Sequence, residues 1–135
     1  MAGNIRLEVV TPEKDVVKED VQMVVSPGSM GEFGVLVGHT PFMTTLKTGA
    51  LRYTDASGKE RFVFVSGGFA EALPTKVTIL AESAERRKDI DEARAQAARD
   101  RAQARLDNAK EDLDFARAKA ALERALYRLK LAESR

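Results

Sequence analysis

Short runs of alternating hydrophobic and polar residues occupy the first 84 positions of the chain, and turn residues separate them. The run at 5–10 ends before Pro12, and the run at 21–25 ends before Pro27. Alternation with a period of two is typical of β-strands, so each run predicts one strand. Five further runs have the same form, at 42–46, 50–53, 61–65, 69–73 and 76–81. Many short strands joined by turns predict an antiparallel sandwich or barrel rather than a parallel sheet.

The rest of the chain has the composition of helices, since all nine glycines and all four prolines precede position 85. Asp89 is the predicted N-cap of a first helix, with Glu92 completing a capping box. A second helix is predicted to begin near Glu111, where acidic residues suit the positive end of a helix. The polar residues Asp107 and Asn108 are the predicted turn, so the two helices form an antiparallel hairpin.

The apolar stripes of both predicted helices consist mainly of alanine. The first helix has one stripe at Ile90, Ala93, Ala97 and Ala104 and another at Ala98, Ala102, Leu106 and Ala109, and the second helix carries Phe115, Ala118, Leu122, Ala125, Leu129 and Ala132. Alanine favours helix formation but buries little area per residue. Two interpretations stay open: an ordinary antiparallel pair, or an element whose packing can be exchanged.

The change in composition predicts an α+β chain with a sandwich domain at 1–84, a hinge at 85–88 and a helical hairpin at 89–135. Cysteine is absent, which excludes disulfides and thiolate metal sites. No apolar run approaches the roughly 20 residues of a membrane span, and the N-terminus lacks a signal-peptide pattern. We therefore expect a soluble protein that reaches a membrane only through a partner.

Charge is unevenly distributed along the chain. The net charge of +1 combines −2 before position 85 with +3 from position 85 onward, and positions 117–135 hold six basic and two acidic residues. A basic terminal helix indicates an anionic partner, although a solvated helix face accounts for the same charge.

Several segments follow one another in a specific order: VVTP at 9–12, GEFGVLVGHTP at 31–41, VSGGFAE at 65–71, VTILAE at 77–82 and AER at 84–86. With the alanine- and arginine-rich hairpin behind them, they resemble the epsilon subunit of rotary F-type ATP synthases over essentially the whole chain. The resemblance implies a sandwich of about ten strands, a two-helix C-terminal domain and a non-catalytic role in the central stalk.

The resemblance also implies partners. The sandwich is expected to bind the gamma subunit and the ring of c subunits. The hairpin is expected either to fold compactly or to extend along gamma toward the alpha/beta hexamer, where it inhibits ATP hydrolysis. The expected location is peripheral, on the cytoplasmic face of the bacterial plasma membrane. No cofactor is required, and ATP is expected only as a regulatory ligand whose dependence on magnesium stays open.

The alternative is a small nucleic-acid-binding β domain with a basic helical tail. Against it, eleven acidic residues lie after position 84, and no recognised aromatic stacking motif is present in the β part. An enzyme is not predicted. His39 is the only histidine, and the sequence places no second metal ligand and no triad partner beside it.

The glycine-bounded stretch at 31–39 is a candidate contact loop. It lacks the Gly-Lys-Ser/Thr ending of a phosphate loop, while its glycines permit tight turns and close backbone approach. The resemblance places this loop, Glu32 especially, at the base of the rotor. The contact residues that it implies for the c ring or gamma are Gly31, Glu32, Phe33, Gly34 and His39. A turn that merely joins two strands is the alternative.

A second candidate site lies on the hairpin. The sequence IDEARA at 90–95 matches the I/L-D-x-x-R-A motif of epsilon subunits that bind ATP on the folded hairpin. The ATP-binding residues that the wider family pattern implies are Glu85, Ile90, Asp91, Arg94, Ala95, Arg101, Arg124 and Arg128. Arg94 and Arg101 share one helix face, as do Arg124 and Arg128, because their spacings are close to whole turns. Like charges so placed repel, which favours an anion between them.

Two interpretations of the hairpin site stay open. Either Asp91 contacts the base or ribose while the arginines bind the triphosphate, or Asp91 caps the helix and the arginines pair with Asp100, Glu123 or solvent. A nucleotide site here would bind rather than hydrolyse ATP, since no Walker lysine or magnesium cage is recognisable. When the hairpin extends, the same basic helix is expected to meet an acidic loop of the catalytic subunits. The cations concerned are Arg117, Arg124, Arg128 and Lys130.

Overall fold

The computed structural model describes residues 3–135, which form two compact units that divide between Arg86 and Arg87. The first unit contains strands only, and the second contains helices only. The predicted fold class, a β-sandwich followed by an antiparallel two-helix hairpin, is confirmed. The sandwich extends further than position 84, because Glu85 and Arg86 belong to its last strand rather than to a hinge.

The first unit has nine strands within the described residues. They are β1 Ile5–Val10, β2 Asp15–Gly28, β3 Gly31–Val35, β4 Phe42–Thr45, β5 Gly49–Asp55, β6 Glu60–Ser66, β7 Phe69–Ala72, β8 Lys76–Leu80 and β9 Ser83–Arg86. Their order is β4-β7-β8-β1-β2-β5-β6-β9, and β3 pairs with β2 beside this path. Neighbouring strands are antiparallel except for β1 and β8, which are parallel.

Strand β2 joins the two layers of the sandwich. Its first half pairs with β1 and its second half with β3 and β5, and the register shifts between Val21 and Met23. Its continuity explains why nine strands are present where about ten were expected. The prediction captured only positions 21–25 of this strand, and it missed β3 and β9 entirely.

The hydrophobic core of the sandwich lies between the layers, and every residue in it falls between Ile5 and Ala84. Alternate positions of β1 and β5 are fully buried, as their period-two pattern predicted. One glycine is required by this packing. A Cβ on Gly68 would lie 2.0 Å from the carbonyl oxygen of Leu80, and its φ of +105° already disfavours other residues. The Gly67-Gly68 turn therefore lets β7 approach the end of β8 closely.

The second unit begins with a short 3-10 helix at Arg87–Asp89, followed by α1 Glu92–Asp107 and α2 Asp112–Glu133. The predicted start near Glu111 and the turn at Asp107 and Asn108 are confirmed, since Glu111 is the N-cap of α2 and Asn108 the C-cap of α1. The predicted cap of α1 is wrong. Asp91 caps the helix instead of Asp89, and its side chain accepts a hydrogen bond from the backbone N–H of Arg94.

Alanine lines the seam of the hairpin, as predicted, and on α1 the seam includes the second predicted stripe, in which Ala102 is buried and Ala98, Leu106 and Ala109 are half-buried. The buried residues of α1 are Ala95 and Ala102, whereas Ala93, Ala97 and Ala104 are exposed. On α2 the buried residues are Ala118, Ala125, Leu129, Leu131 and Ala132. Phe115 was predicted in this stripe but is 50% exposed. The central part of the seam therefore joins alanine to alanine, and the larger buried side chains lie near the C-terminal end of α2.

Candidate functional sites

The start of α1 is built around the motif at 90–95. Ile90 and Ala95 are both only 3% exposed, so these two members of the motif are packed inside the helical unit. Oδ1 of Asp91 lies 3.0 Å from the backbone nitrogen of Arg94 and caps the helix. Asp91 itself is exposed, and Arg94 extends into solvent. Capping by Asp91, one of the two interpretations of this residue, is thus present and leaves its second carboxylate oxygen accessible.

The last residue of the chain holds the same end of the hairpin together. The Arg135 guanidinium donates to the carbonyl oxygens of Arg87 at 3.1 Å and Ile90 at 2.8 Å, and it lies 3.7 Å from the Glu92 carboxylate. Ser134 adds a second contact, because it accepts a hydrogen bond from the Arg87 guanidinium. The C-terminus of α2 is therefore fastened to the residues on both sides of the Asp91 cap.

Arginines without protein partners are concentrated on the hairpin. Among the described residues 3–135, no hydrogen bond or ion pair involves the guanidinium groups of Arg94, Arg101, Arg105, Arg117 and Arg124. The predicted alternative partner Asp100 is paired with Arg99 instead, at 3.2 Å. Unpaired guanidiniums are strong, always charged donors suited to phosphate and carboxylate oxygens.

Three of these arginines surround a groove of about 640 Å³ where the two helices meet the connecting turn. Its polar lining consists of Arg105, Asn108, Asp114, Arg117 and Arg124, and its floor of four alanines, Ala109, Ala118, Ala120 and Ala121. We call this feature the loop-end groove. Its volume lies in the range of small-molecule sites, roughly 300–1,000 Å³.

The sequence prediction and the loop-end groove share only Arg124. Arg105 was not among the predicted site residues, although it lies four residues after Arg101 on one helix face, the same signal that singled out Arg124 and Arg128. Arg117 was predicted only as a contact for catalytic subunits. Of the other predicted residues, Arg128 is half-buried on α2, and Glu85 lies in the sandwich unit on β9, opposite Phe64.

The predicted contact loop at 31–39 is partly a strand. Gly31, Glu32, Phe33 and Gly34 lie on β3, which forms a β-hairpin with the end of β2, so they do not belong to an irregular loop. Glu32 is exposed and lies 3.4 Å from the Arg52 guanidinium. Phe33 packs edge-on against Phe42 at 4.9 Å between ring centroids, and His39 lies 5.1 Å from the same ring. His39 follows the strand, and its Nδ1 donates to the carbonyl oxygen of Thr40.

Large apolar side chains are exposed around this region of the sandwich. Met30, at the tip of the β2–β3 hairpin, is 96% exposed, and Leu36, after β3, is 52% exposed. On β4, β7 and β8 the exposed residues are Met43, Phe69 and Leu80. Phe69 and Leu80 are directly paired across β7 and β8, so they form one continuous apolar surface. The sequence analysis missed these residues, although their position on the outer face follows from the alternation within each strand.

A buried polar network fixes the strand that leads to the helices. Tyr53 donates a hydrogen bond to Glu19 at 2.5 Å and accepts one from Arg86 at 2.9 Å, and Arg86 also donates to the carbonyl oxygen of Val16. Burial and the bond to Glu19 raise the pKa of Tyr53 to about 12, which keeps its hydroxyl protonated. The end of β9 is therefore tied to both β2 and β5.

Within the described residues 3–135, no group of three or more histidine, aspartate and glutamate side chains could hold a metal ion. No helix in this part of the chain is long and apolar enough to cross a membrane.

Two family models together match almost the whole chain. The ATP synthase delta/epsilon chain β-sandwich domain matches residues 4–87, and the ATP synthase delta/epsilon chain long α-helix domain matches residues 88–133. The change of model falls one residue after the division between the two structural units.

Curated relatives and solved structures agree with these models. An ATP synthase epsilon chain of Desulfatibacillum aliphaticivorans is 65% identical over 135 residues, with 100% of this chain and 96% of the relative covered. One from Desulforapulum autotrophicum is 60% identical over 135 residues, with both chains fully covered. A chain of the Euglena gracilis mitochondrial ATP synthase has a TM-score of 0.80 at 24% identity, with 100% of this chain and 84% of that chain covered.

A β-sandwich followed by a two-helix hairpin defines an α+β protein of two units. The chain belongs to the ATP synthase delta/epsilon family, as an epsilon chain of the F-type enzyme. It is a non-catalytic subunit of that complex, and the nucleic-acid-binding alternative is not favoured.

Proposed function

We propose that this chain is the epsilon subunit of the central stalk in a proton-translocating ATP synthase, and that its sandwich joins gamma to the c ring. The family supports the identity. The position in the central stalk is supported by a solved structure, the central stalk and c ring of the Tetrahymena thermophila mitochondrial ATP synthase. One of its chains has a TM-score of 0.61 at 13% identity, with 95% of this chain and 96% of that chain covered. As part of the central stalk, the chain would lie peripherally at the cytoplasmic face of the bacterial plasma membrane and would need no membrane span.

The exposed residues of the sandwich support two contacts. The apolar surface of Phe69, Leu80 and Met43 suits burial against another protein, because contiguous exposed apolar area marks interaction sites. The β2–β3 hairpin presents Met30 at its tip and the charged Glu32 on β3. We assign the apolar surface of Phe69, Leu80 and Met43 to gamma. We assign the β2–β3 hairpin, with Gly31, Glu32, Phe33 and Gly34, to the c ring. His39 lies between β3 and β4 in sequence and beside the ring of Phe42.

The hairpin of α1 and α2 is proposed to inhibit ATP hydrolysis when it extends toward the alpha/beta hexamer. The supporting observation is its packing. Its central seam buries alanines, which contribute little area, while Leu113, Phe115 and Leu126 remain about half exposed at 58%, 50% and 48%. An extended hairpin would bury these side chains against a partner and bring its arginines to acidic residues there, so both arrangements have stabilising contacts.

ATP is the proposed ligand that retains the folded hairpin. The observation that carries this proposal is the set of unpaired arginines on the two helices of the hairpin. Arg94, Arg101 and Arg124 have no protein partner in the part of the chain that is described, so binding a triphosphate breaks no existing ion pair. A ligand that binds only the folded state shifts the population toward it. The same cations then become unavailable to the catalytic subunits.

Isothermal titration of ATP into the isolated protein tests this switch. We expect saturable binding within the millimolar range, weakened at least tenfold in Arg94→Ala and unchanged in Arg99→Ala, whose guanidinium is already paired with Asp100 on the same helix. Absence of saturable binding, or equal affinities for the parent and Arg94→Ala, would remove ATP from the proposal.

A further inference from the structure

Glu71 lies on the same outer face of the sheet as the apolar surface of Phe69, Leu80 and Met43. It is paired with Met43 of β4 on one side and with Thr78 of β8 on the other. Directly paired residues project from the same face, with their Cβ atoms about 5 Å apart. Phe69 precedes Glu71 by two positions on β7, so its side chain projects from that face about 7 Å away. The carboxylate is therefore bordered by exposed apolar side chains on two sides.

The Glu71 carboxylate has no counter-charge, whereas another carboxylate of the same row has two. Glu71, Thr78 and Glu8 form one row across β7, β8 and β1. Glu8 lies 3.5 Å from the Lys76 ammonium and 3.9 Å from the Arg6 guanidinium. Glu71 is exposed, and its carboxylate takes part in no hydrogen bond or ion pair within residues 3–135. The unpaired carboxylate thus lies in the apolar part of the face, and the paired carboxylate in its charged part.

A partner that covers the apolar surface also removes water from Glu71. An ionised carboxylate that loses water without gaining a partner opposes association, because burial of an unpaired charge is costly. A basic side chain of the partner offsets this cost, and an arginine fork can satisfy both carboxylate oxygens. Such a pair also rejects wrong partners, because juxtaposed like charges oppose binding.

Given the proposed docking of this surface to gamma, on which the inference rests, we propose that gamma presents an arginine or lysine to Glu71. The apolar side chains supply buried area, which many proteins could match. Glu71 supplies what they do not: it fixes the position and the sign of one charge on the docked partner. Glu71 is therefore the residue of this surface that determines specificity.

Binding kinetics of the full chain on an immobilised complex of alpha, beta and gamma subunits that lacks this chain test the pairing. Glu71→Gln keeps the shape of the side chain and removes its charge, so it should weaken binding roughly tenfold or more, mainly through faster dissociation. Glu71→Lys should weaken binding roughly a hundredfold or more, because it places like charges together. The matched control is Glu60→Gln, an exposed carboxylate on β6, which pairs with β5 and β9. This control should bind within about twofold of the parent.

The sign of the Glu71→Gln effect decides between the proposal and its opposite. If gamma presents no cation there, a neutral amide is easier to bury than a carboxylate, so the variant binds as tightly as the parent or more tightly. Either result overturns the pairing. Thermal unfolding separates loss of binding from loss of folding. The Glu71 variants should keep the Tm of the parent, because the exposed carboxylate has no partner within residues 3–135 to lose.

Phe69→Ser tests the docking surface separately from the charge. Weaker binding of Phe69→Ser together with parent-like binding of Glu71→Gln retains the docking to gamma and overturns only the cation opposite Glu71. Parent-like binding of Phe69→Ser overturns both, because gamma then does not cover this surface.

Charge exchange identifies the residue of gamma that faces Glu71. Each arginine and lysine of gamma is replaced in turn by glutamate, and binding of the parent chain and of Glu71→Lys is measured. We expect one gamma substitution that weakens binding of the parent and restores binding of Glu71→Lys to within about tenfold of the parent pair, because the ion pair forms again with its charges exchanged. If no gamma substitution restores Glu71→Lys, no single cation faces Glu71 and the proposal fails.

Discussion

Asp55, at the turn between β5 and β6, shows how a single side chain specifies a hairpin. Its carboxylate accepts hydrogen bonds from the Ser57 hydroxyl at 2.6 Å, the Ser57 N–H at 3.0 Å and the Lys59 N–H at 2.9 Å. Arg61 completes the set at 3.1 Å. The Ser57 hydroxyl, followed by the Lys59 N–H, holds the pKa of the Asp55 carboxyl well below its usual value. Only the ionised carboxylate accepts all four bonds.

We predict that Asp55→Asn lowers the Tm at pH 7 and flattens its dependence on acid. A carboxyl with a depressed folded-state pKa contributes stability above its unfolded pKa of 3.8 and loses it as pH falls through the lower folded value. The parent should therefore approach the variant as pH falls below about 4. Thermal unfolding from pH 7 to pH 2 measures this. The control Asp20→Asn removes an exposed carboxylate from β2. A gap between parent and Asp55→Asn that stays constant with pH would contradict the prediction.

The role of a single residue could be predicted from the sequence only where no neighbouring residue was equally suited to that role. The turn between the runs at 50–53 and 61–65 follows from Asp55 and Gly58, because Asp and Gly favour turns. The cap of α1 was not, because Asp89 and Asp91 are equally good caps and the 3-10 helix at Arg87–Asp89 takes up the first of them. The unpaired state of Arg105 and Arg117 depends on where neighbouring acids point, which only the folded hairpin determines.

At the scale of elements, the hairpin is held unevenly along its length. Its central seam consists of small side chains, and the open end is fastened by Arg135 to the carbonyl oxygens of Arg87 and Ile90. Arg135 follows α2, whereas Arg87 and Ile90 precede α1, so these bonds join the two ends of the hairpin. Opening of the hairpin must break them.

Arg135→Ala should accelerate local opening of the helical unit. Loss of charge-assisted hydrogen bonds costs about 1.5–3 kcal/mol, which corresponds to roughly a tenfold or greater rise in the open population. Hydrogen–deuterium exchange followed by mass spectrometry should show faster exchange in peptides covering 87–95, with no change in β5 or β6. Lys130→Ala, an exposed substitution on the last turn of α2, serves as the control. Equal protection in parent and Arg135→Ala would show that the seam alone closes the hairpin.

Elements were predictable where periodicity was unambiguous. The alternation of β1 and β5 marks one buried face clearly, and the start of α2 follows from its acidic residues. For α1 the sequence predicted two stripes, and only the one through Ala102 lies in the seam, because alanine occurs on several faces of the helix and hydrophobicity alone does not choose between them. Strand β3 was not predicted, because its glycines interrupt the alternation of hydrophobic and polar residues. The parallel pairing of β1 with β8 was not predicted either, because the two strands are too far apart in sequence for a local pattern to specify their pairing.

At the scale of the whole molecule, the two units have separable requirements. The sandwich core contains no residue beyond Ala84, and the Tyr53–Glu19–Arg86 network holds the last strand in place before the helices begin. We therefore expect the sandwich to fold without the helices. If the sandwich carries docking and the helices carry inhibition, removal of the helices should abolish inhibition and leave docking intact.

Deletion of residues 89–135 should raise ATP hydrolysis by the assembled enzyme several-fold and leave assembly intact. The sandwich would still present Met43, Phe69 and Leu80 to gamma and the β2–β3 hairpin to the c ring, while the helices that oppose hydrolysis would be missing. Phosphate release by the purified complex measures the first effect, and co-purification of the truncated chain with gamma measures the second. Full-length Lys119→Gln, with an intact hairpin, should hydrolyse ATP like the parent. Unchanged hydrolysis after truncation would show that the hairpin does not inhibit, and failure to co-purify would place part of the docking surface on the helices.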